Sequence, residues 1–453
     1  MKQGKFLFLA IITLLALVLS ACGAQQTAGD SSAPATDATS ADTTNGDSGT
    51  DQGAADEPGT DAGAADEEPS GEAVTITMWT KEGEADGGLQ FSQALIDSFN
   101  AENPNITIEV VKKKDVEELR EDFQTAALAG SSPDLLWTVN DHAGPFTAAE
   151  LIQPVDDTFD LSLFVEGALE AVQLDDQTWG IPISSGNHLM LLYNKSLIES
   201  APADTDALIA SSSDLTTDDV NVLVFNQTEP FWMVPWLGGF GGQVFAEDGI
   251  TPTLDTPEMV ATLQFLRDIK FNNDLIPSEG DYDSSDTLFK EGKAAMIING
   301  DWSLASYSEA LGDDLGVASI PVVSATGEAA KPFTAGTYFM IPTGVEGGEL
   351  DAVVSFINYI TNIENQLKQM DELKRLPALK EALTDPSIEA DPLLAGSVAQ
   401  LEVGTGTPAV LEMRCIWDAM KPELQAVMAD SKSPEDAAAA MQSSAEACIA
   451  TLG

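Results

Sequence analysis

Val74-Thr75-Ile76-Thr77-Met78-Trp79 decides the fold, because of the pattern that follows it. The stretch alternates and is rich in β-branched residues, so it predicts a strand. Leu89, Leu95, Ile96 and Phe99 come next at helical spacing, and Pro104 ends that helix. Ile106-Thr107-Ile108-Glu109-Val110-Val111 is a second strand. Val116, Leu119, Phe123, Ala127 and Leu128 mark a second helix, closed by Gly130. Ser132-Pro133-Asp134-Leu135-Leu136-Trp137 opens a third strand. A β-α-β-α-β order calls for an α/β fold with a mostly parallel sheet and right-handed crossovers. Ligands of such sheets sit beyond the carboxyl ends of the strands. Those ends are Trp79 to Glu84 and Trp137 to His142.

Further along, Ile181-Pro182-Ile183 and Leu189-Met190-Leu191-Leu192-Tyr193 predict strands around a crossing point. Val222-Leu223-Val224-Phe225 is another, followed by an aromatic-rich helix or loop from Phe231 to Leu237. Gly238 to Gly242 predicts a flexible turn. Thr256-Pro257 caps a helix carrying Met259, Val260, Leu263, Leu266 and Ile269. Ala294 to Ile298 predicts a buried strand that runs into Asn299-Gly300-Asp301-Trp302, and the chain after Pro342 is mainly helical.

The beginning of the chain has a different character. Met1-Lys2-Gln3-Gly4-Lys5 precedes an apolar run from Phe6 to Leu19, the pattern of a secretory signal. That run is short for a bilayer-spanning helix. It ends in Leu19-Ser20-Ala21-Cys22-Gly23, which resembles the bacterial lipobox. The resemblance implies a signal peptide over residues 1–21 and a lipidated Cys22; the competing reading is an ordinary signal with an unrelated cysteine. After Cys22, residues 23–72 consist of Ala, Gly, Ser, Thr, Asp, Glu, Pro and Gln with one Asn, and hold no cation and no aromatic ring. Such a segment cannot bury enough surface to offset its ordering entropy, so a disordered acidic tether is expected. A flexible coil of this length spans about 40 Å.

From Ala73 onward roughly 380 residues remain, room for two globular lobes. The net charge of −54 argues against nucleic acid, which needs basic patches. Only His142 and His188 are present and no CxxC occurs, which argues against a zinc site. No cofactor signature appears. GxSxG, HExxH and a P-loop are all absent, so a binding protein is expected rather than an enzyme. In a chain this acidic a secreted glycoside hydrolase using paired carboxylates stays open, as does a purely structural surface lipoprotein.

Seven tryptophans stand at 79, 137, 179, 232, 236, 302 and 417, several at strand ends or in loops. Sugar rings pack their C–H faces on aromatic rings, and their hydroxyls need acid and amide partners. Asn226-Gln227-Thr228-Glu229-Pro230-Phe231-Trp232 has that mix, and so does Asp141-His142 near Trp137. Any single tryptophan is more readily a core residue, whereas the set points to a sugar site.

These same residues carry a wider resemblance. Phe225 to Phe231, Phe289 to Trp302, Lys331 to Gly336 and Ser132 to Trp137, taken in order, resemble the maltose/maltodextrin-binding proteins of bacterial import systems over nearly all of Val74 to Gly453. The resemblance implies a two-lobed periplasmic-binding-protein fold with a hinge and discontinuous lobes. These would comprise residues 73–185 with 336–389, and 186–335 with 390–453. Crossovers are expected near Ser184–Asn187, Phe333–Thr337 and Ala390–Pro392. It implies a site in which Trp302 and Trp417 stack on sugar, beside Glu229, Phe231 in place of a tyrosine, Tyr282 and Asp141. Trp137, Trp232, His142, Asn187 and Lys421 complete the candidate set. His142 stands where the family pattern has an arginine, and Asn187 stands near a cleft glutamate. Thr138 replaces a tryptophan, and Lys81-Glu82-Gly83-Glu84 reorders an acid–base pair. The implied partners are a maltodextrin-type oligosaccharide and the membrane permease subunits of an ABC importer. The implied setting is extracytoplasmic, with a monomer held to the cell membrane by its lipid anchor.

Cys415 and Cys448 are the remaining cysteines, in a disulfide-permissive setting. Both fall on predicted helices that flank the turn Asp430 to Pro434. Each lies roughly 16 residues from that turn, so an antiparallel hairpin brings them level at roughly 20 Å along their helices. A disulfide is expected; two small buried apolar side chains are the alternative.

Overall fold

The structure, a computed structural model, describes residues 72–211 and 220–452. The signal run, Cys22 and the acidic tether lie outside the described residues. Among those described, the strands form two main sheets, one per lobe, and a small hairpin of β4 (Gln173–Leu174) with β5 (Gln177–Thr178).

The larger sheet begins with β1 (Val74–Thr80), β2 (Ile106–Lys112) and β3 (Leu135–Val139). β1 pairs in parallel with both of the others, as a β-α-β-α-β order requires. Asp115 caps the helix Val116–Leu128 by accepting from the Glu118 N–H. Beyond β3 the sheet departs from the expected parallel pattern. β11 (Phe333–Met340) lies antiparallel to β3, and β6 (Ile181–Gly186) lies antiparallel to β11. β12 (Leu376–Pro377) adds the edge, and β13 (Thr405–Gly406) pairs with β11. β11 arrives from the other sheet's half of the chain and not through a local crossover helix, so nothing forces it parallel.

Both faces of this sheet are covered, so side chains of one strand divide between two cores. Leu135 and Trp137 face one core with Ile76, Met78, Phe339 and Phe356. Leu136 faces the other with Phe123, Phe146 and Tyr338.

The smaller sheet runs in the order β10 (Leu315–Ala318), β7 (Leu189–Asn194), β9 (Ala294–Gly300), β8 (Asn221–Val224). Met296 and Ile298 of β9 join Leu189, Leu223, Trp236, Ile416 and Met420 on one side. Ile297 joins Met190, Leu192 and Tyr307 on the other. The chain first passes from the large sheet to the small one between β6 and β7, through Asn187 and His188 alone. It returns between β10 and β11. The glycines at 238 and 239 end the helix Val234–Gly239 and are not a free turn. A methyl group on Gly238 would lie 2.6 Å from Lys331 Cβ, and one on Gly239 would lie 2.5 Å from Val323 Cγ2. They are small because other chain segments press on them.

The helices Met413–Met428 and Pro434–Ile449 pack as a hairpin. A disulfide joins Cys415 to Cys448, with Cα atoms 5.6 Å apart. The bond closes a segment of 33 residues. Constraining the unfolded chain over that length stabilises by about 3 to 4 kcal/mol. Replacing both cysteines by alanine should therefore lower unfolding stability by about 3 kcal/mol. Denaturant titration checks this, with the native chain under reductant as the matched control.

Candidate functional site

Four of the aromatic candidates, Phe231, Tyr282, Trp302 and Trp417, come together at the edge of the small sheet's core. Phe231 is their centre. Pro230 opens the short helical turn Pro230–Trp232 after β8, and within it the half-buried Phe231 ring packs against the core. Its centroid is 6.3 Å from that of Trp302 and 6.3 Å from that of Trp417. All three rings are half-buried, with one side packed on the core. Trp302 sits in the turn Asp301–Ser303 at the end of β9. Its ring lies across the preceding glycine: a methyl group on Gly300 would be 2.1 Å from Trp302 Cζ3. Trp417 sits on the helix Met413–Met428, one turn from Lys421 on the same face.

Polar groups surround the rings. Lys421 Nζ is 2.6 Å from Glu229 Oε1, and both side chains are substantially exposed. Trp417 Nε1–H donates to Asp141 Oδ2 at 3.0 Å, across to the large sheet's lobe. Trp302 Nε1–H donates to the Tyr282 hydroxyl at 3.0 Å. That hydroxyl reaches Asp86 Oδ1 at 3.5 Å, again across the lobes. Planar apolar faces beside carboxylates, an ammonium and a phenol can stack a sugar ring and meet its hydroxyls.

Other candidates sit elsewhere. Trp137 is 1 % exposed and packs against Phe339 with centroids 5.1 Å apart, so it is a core ring and not a cleft ring. The strand's alternation points it at the same core as Leu135. Trp232 is also buried, its Nε1–H donating to the Ile298 carbonyl at 2.9 Å. It supports Trp302 and Tyr282 edge-on from beneath, at 6.3 and 6.1 Å. Asn187 is half-buried, and its backbone N–H donates to Asp301 Oδ2. His142 is buried and shares a 2.7 Å hydrogen bond with Thr138 Oγ1.

Three residues near the cleft escaped the sequence reading: Asp86, Asp301 and Arg375. Arg375 Nη1–H donates to Glu82 Oε2 at 2.7 Å, with both side chains almost fully buried. Burial alone would raise the Glu82 carboxyl, but Arg375 and Lys81 overcome it and hold it at about 2. Asp86 is pushed upward by burial, with Arg375 and Lys290 opposing. The one sequence signal for Arg375 is scarcity: only 20 cationic side chains face 74 acids, and this one abuts an apolar stretch.

Asp141 and His142 adjoin a small cleft shared with Glu117, Arg120, Arg414 and Trp417. Burial raises Asp141 to about 6, although the Trp417 N–H opposes the rise. Burial lowers His142 to about 3, helped by Arg120 and Lys81. The two act oppositely on stability. The raised Asp141 contributes stability that is lost as pH climbs from about 4 to about 6. The depressed His142 contributes stability that is lost as pH falls below 6.5. Asp141→Asn should make melting temperature rise more steeply with pH over this window, and His142→Gln should make it rise less steeply or fall. Melting curves of the three proteins from pH 4 to 7 check both signs.

Comparison with known proteins places the chain. The profile of the family described as bacterial extracellular solute-binding protein matches residues 94–396. The maltotriose-binding protein of Pyrococcus abyssi is 26 % identical over 360 residues, 76 % of either chain. The galactooligosaccharide-binding protein of Bacillus subtilis is 26 % identical over 386 residues, 81 % of this chain and 88 % of that one. Among solved structures, the maltose/maltodextrin-binding domain of Bdellovibrio bacteriovorus bound to maltotriose is 34 % identical with a TM-score of 0.79. It covers 83 % of this chain and 100 % of its own. With the two-lobed α/β architecture and the aromatic cleft already described, these matches show that the chain belongs to the bacterial extracellular solute-binding proteins.

Proposed function

We propose that this protein binds a maltodextrin-type oligosaccharide between its lobes and delivers it to the permease subunits of an ABC importer. The observation that carries the reading is the ring group Phe231, Trp302 and Trp417, backed on one core and faced by Glu229, Lys421, Asp141 and Tyr282. Relatives named for maltotriose and maltodextrin support the ligand class. The lobes would comprise residues 73–185 with 336–389, and 186–335 with 390–453. Sugar touching both lobes stabilises the closed arrangement by its differential affinity. The permease would read that arrangement. Binding without turnover is the expected chemistry, and the protein would work as a monomer.

Calorimetry with maltose, maltotriose, longer maltodextrins and a galactooligosaccharide tests the reading. Maltodextrins should bind, and none should be hydrolysed. Hydrolysis would favour a glycosidase, and selective uptake of the galactooligosaccharide would move the ligand class. Trp302→Ala and Trp417→Ala should each weaken binding by about 10- to 100-fold, because a flat stacking surface is lost. Unchanged affinity in both would remove these rings from the site. Solution scattering should show the protein becoming more compact on saturation with sugar.

Cys22 would be the anchor. Its acyl chains, not a hydrophobic helix, would hold the protein on the extracytoplasmic face of the cell membrane. Cys22→Ser should release the protein from washed membranes and leave its sugar affinity unchanged. Retention in the membrane fraction after a salt wash would contradict the lipid anchor.

A further inference from the structure

The passage from β6 to β7 has an unusual backbone. Gly186 has φ 125° and Asn187 has φ 44°, two consecutive positive values. Asparagine is among the few residues with a side chain that tolerate this region. One residue of the other strand system grips the passage at both ends. Asp301, 2 % exposed, accepts the Asn187 N–H through Oδ2 at 3.1 Å. Its own N–H donates to the His188 carbonyl at 3.1 Å. The carboxylate lies so near the chain that a methyl group on Gly186 would be 2.6 Å from Oδ2.

Neighbouring groups fix the arrangement further. His188 is buried, and its Nε2–H donates to the Ser397 carbonyl at 3.0 Å, tying the passage to the helix Pro392–Leu401. Arg375 directly precedes Leu376, which pairs with Ser185, and lies within electrostatic reach of Asp301. The residue after Asp301 is Trp302, whose ring crosses Gly300 and bonds Tyr282. A shift of Asp301 therefore reaches the ring through one peptide unit.

We propose that Asp301 is a positioning residue that couples the left-handed passage at Gly186 and Asn187 to the Trp302 ring, so that lobe angle and platform orientation change together. The proposal rests on the sugar-cleft reading only for its effect on affinity. The coupling itself is a property of the protein without ligand. Loss of a charged acceptor from the half-buried Asn187 N–H costs enough to weaken binding by about tenfold. Asparagine at 301 keeps an acceptor oxygen and should restore the coupling.

The test uses the full chain with spin labels on Glu109→Cys and Glu309→Cys, exposed positions on the two lobes. Interlobe distances are measured without sugar, and maltotriose affinity and melting temperature are measured alongside. Asp301→Ala should broaden the distance distribution and weaken maltotriose binding by about tenfold. Asp301→Asn should stay close to the parent in both. Gly186→Ala should broaden the distribution as well, and less so when combined with Asp301→Ala, since the nearer clash, with Oδ2, is then gone and only that with His188 Nδ1 at 2.9 Å remains. A lowered melting temperature with unchanged distances would show a merely structural role and overturn the proposal. So would additive effects in the double variant. If Asp301→Ala fails to fold, Asp301→Ser, whose shorter side chain withdraws the acceptor from the Asn187 N–H, is compared with Asp301→Asn: broadening in the serine variant alone supports the coupling, and equal distances in both defeat it. If the parent binds no maltodextrin, the ligand class fails while the distance measurements still judge the coupling.

Discussion

A carboxylate and a guanidinium almost without access to water hold the cleft side of the large lobe in place. Glu82 follows β1 and Arg375 precedes β12, and they are separated by 293 residues. Neither could stay buried and charged alone, since leaving one unpaired costs several kcal/mol. The pair therefore fixes the loop from Lys81 to Gly87 against the sheet edge. That loop carries Asp86, which meets the Tyr282 hydroxyl of the other lobe. Tyr282 in turn receives the Trp302 N–H. One desolvated ion pair thus begins a chain of contacts that ends on the aromatic platform.

The platform is built by three elements remote in sequence, yet its construction is simple. Each ring lies with one side on the same apolar core and keeps the other side less covered. The backing rigidifies the rings at little entropic cost, because aromatic side chains have few rotatable bonds. Their polar edges reach outward to partners: Trp417 to Asp141, and Trp302 to Tyr282. Rings held by both an apolar side and a directed N–H keep their orientation, which a stacking surface requires.

Periodicity made most of the architecture legible. β1 and β2 announced themselves by β-branched residues, β3 by the apolar run Leu135-Leu136-Trp137, and caps such as Thr256-Pro257 marked helix starts. Strand direction beyond β3 was not legible, because β11 and β6 pair through contacts between distant segments. Tyr282 and Trp417 were legible only through the family resemblance, whereas Phe231 and Trp302 also stood out as aromatic rings beside acids or at a strand end. Trp137 misled for the same reason: it stands near a strand end, but alternation sends its ring into the core. Asp86, Asp301 and Arg375 left no local pattern, since each takes its meaning from a partner far along the chain.

The bond between Cys415 and Cys448 gives the helix Pro434–Ile449 a significance beyond packing. Cys415 lies two residues before Trp417, so the helix is riveted close to a platform ring. It works as a splint. Shortening or unwinding it would loosen a surface some 30 residues upstream, even though no residue of that helix belongs to the platform. A fusion or label joined through this helix thus shares a strut with the cleft, whereas the edge strand β2 offers attachment on the other sheet.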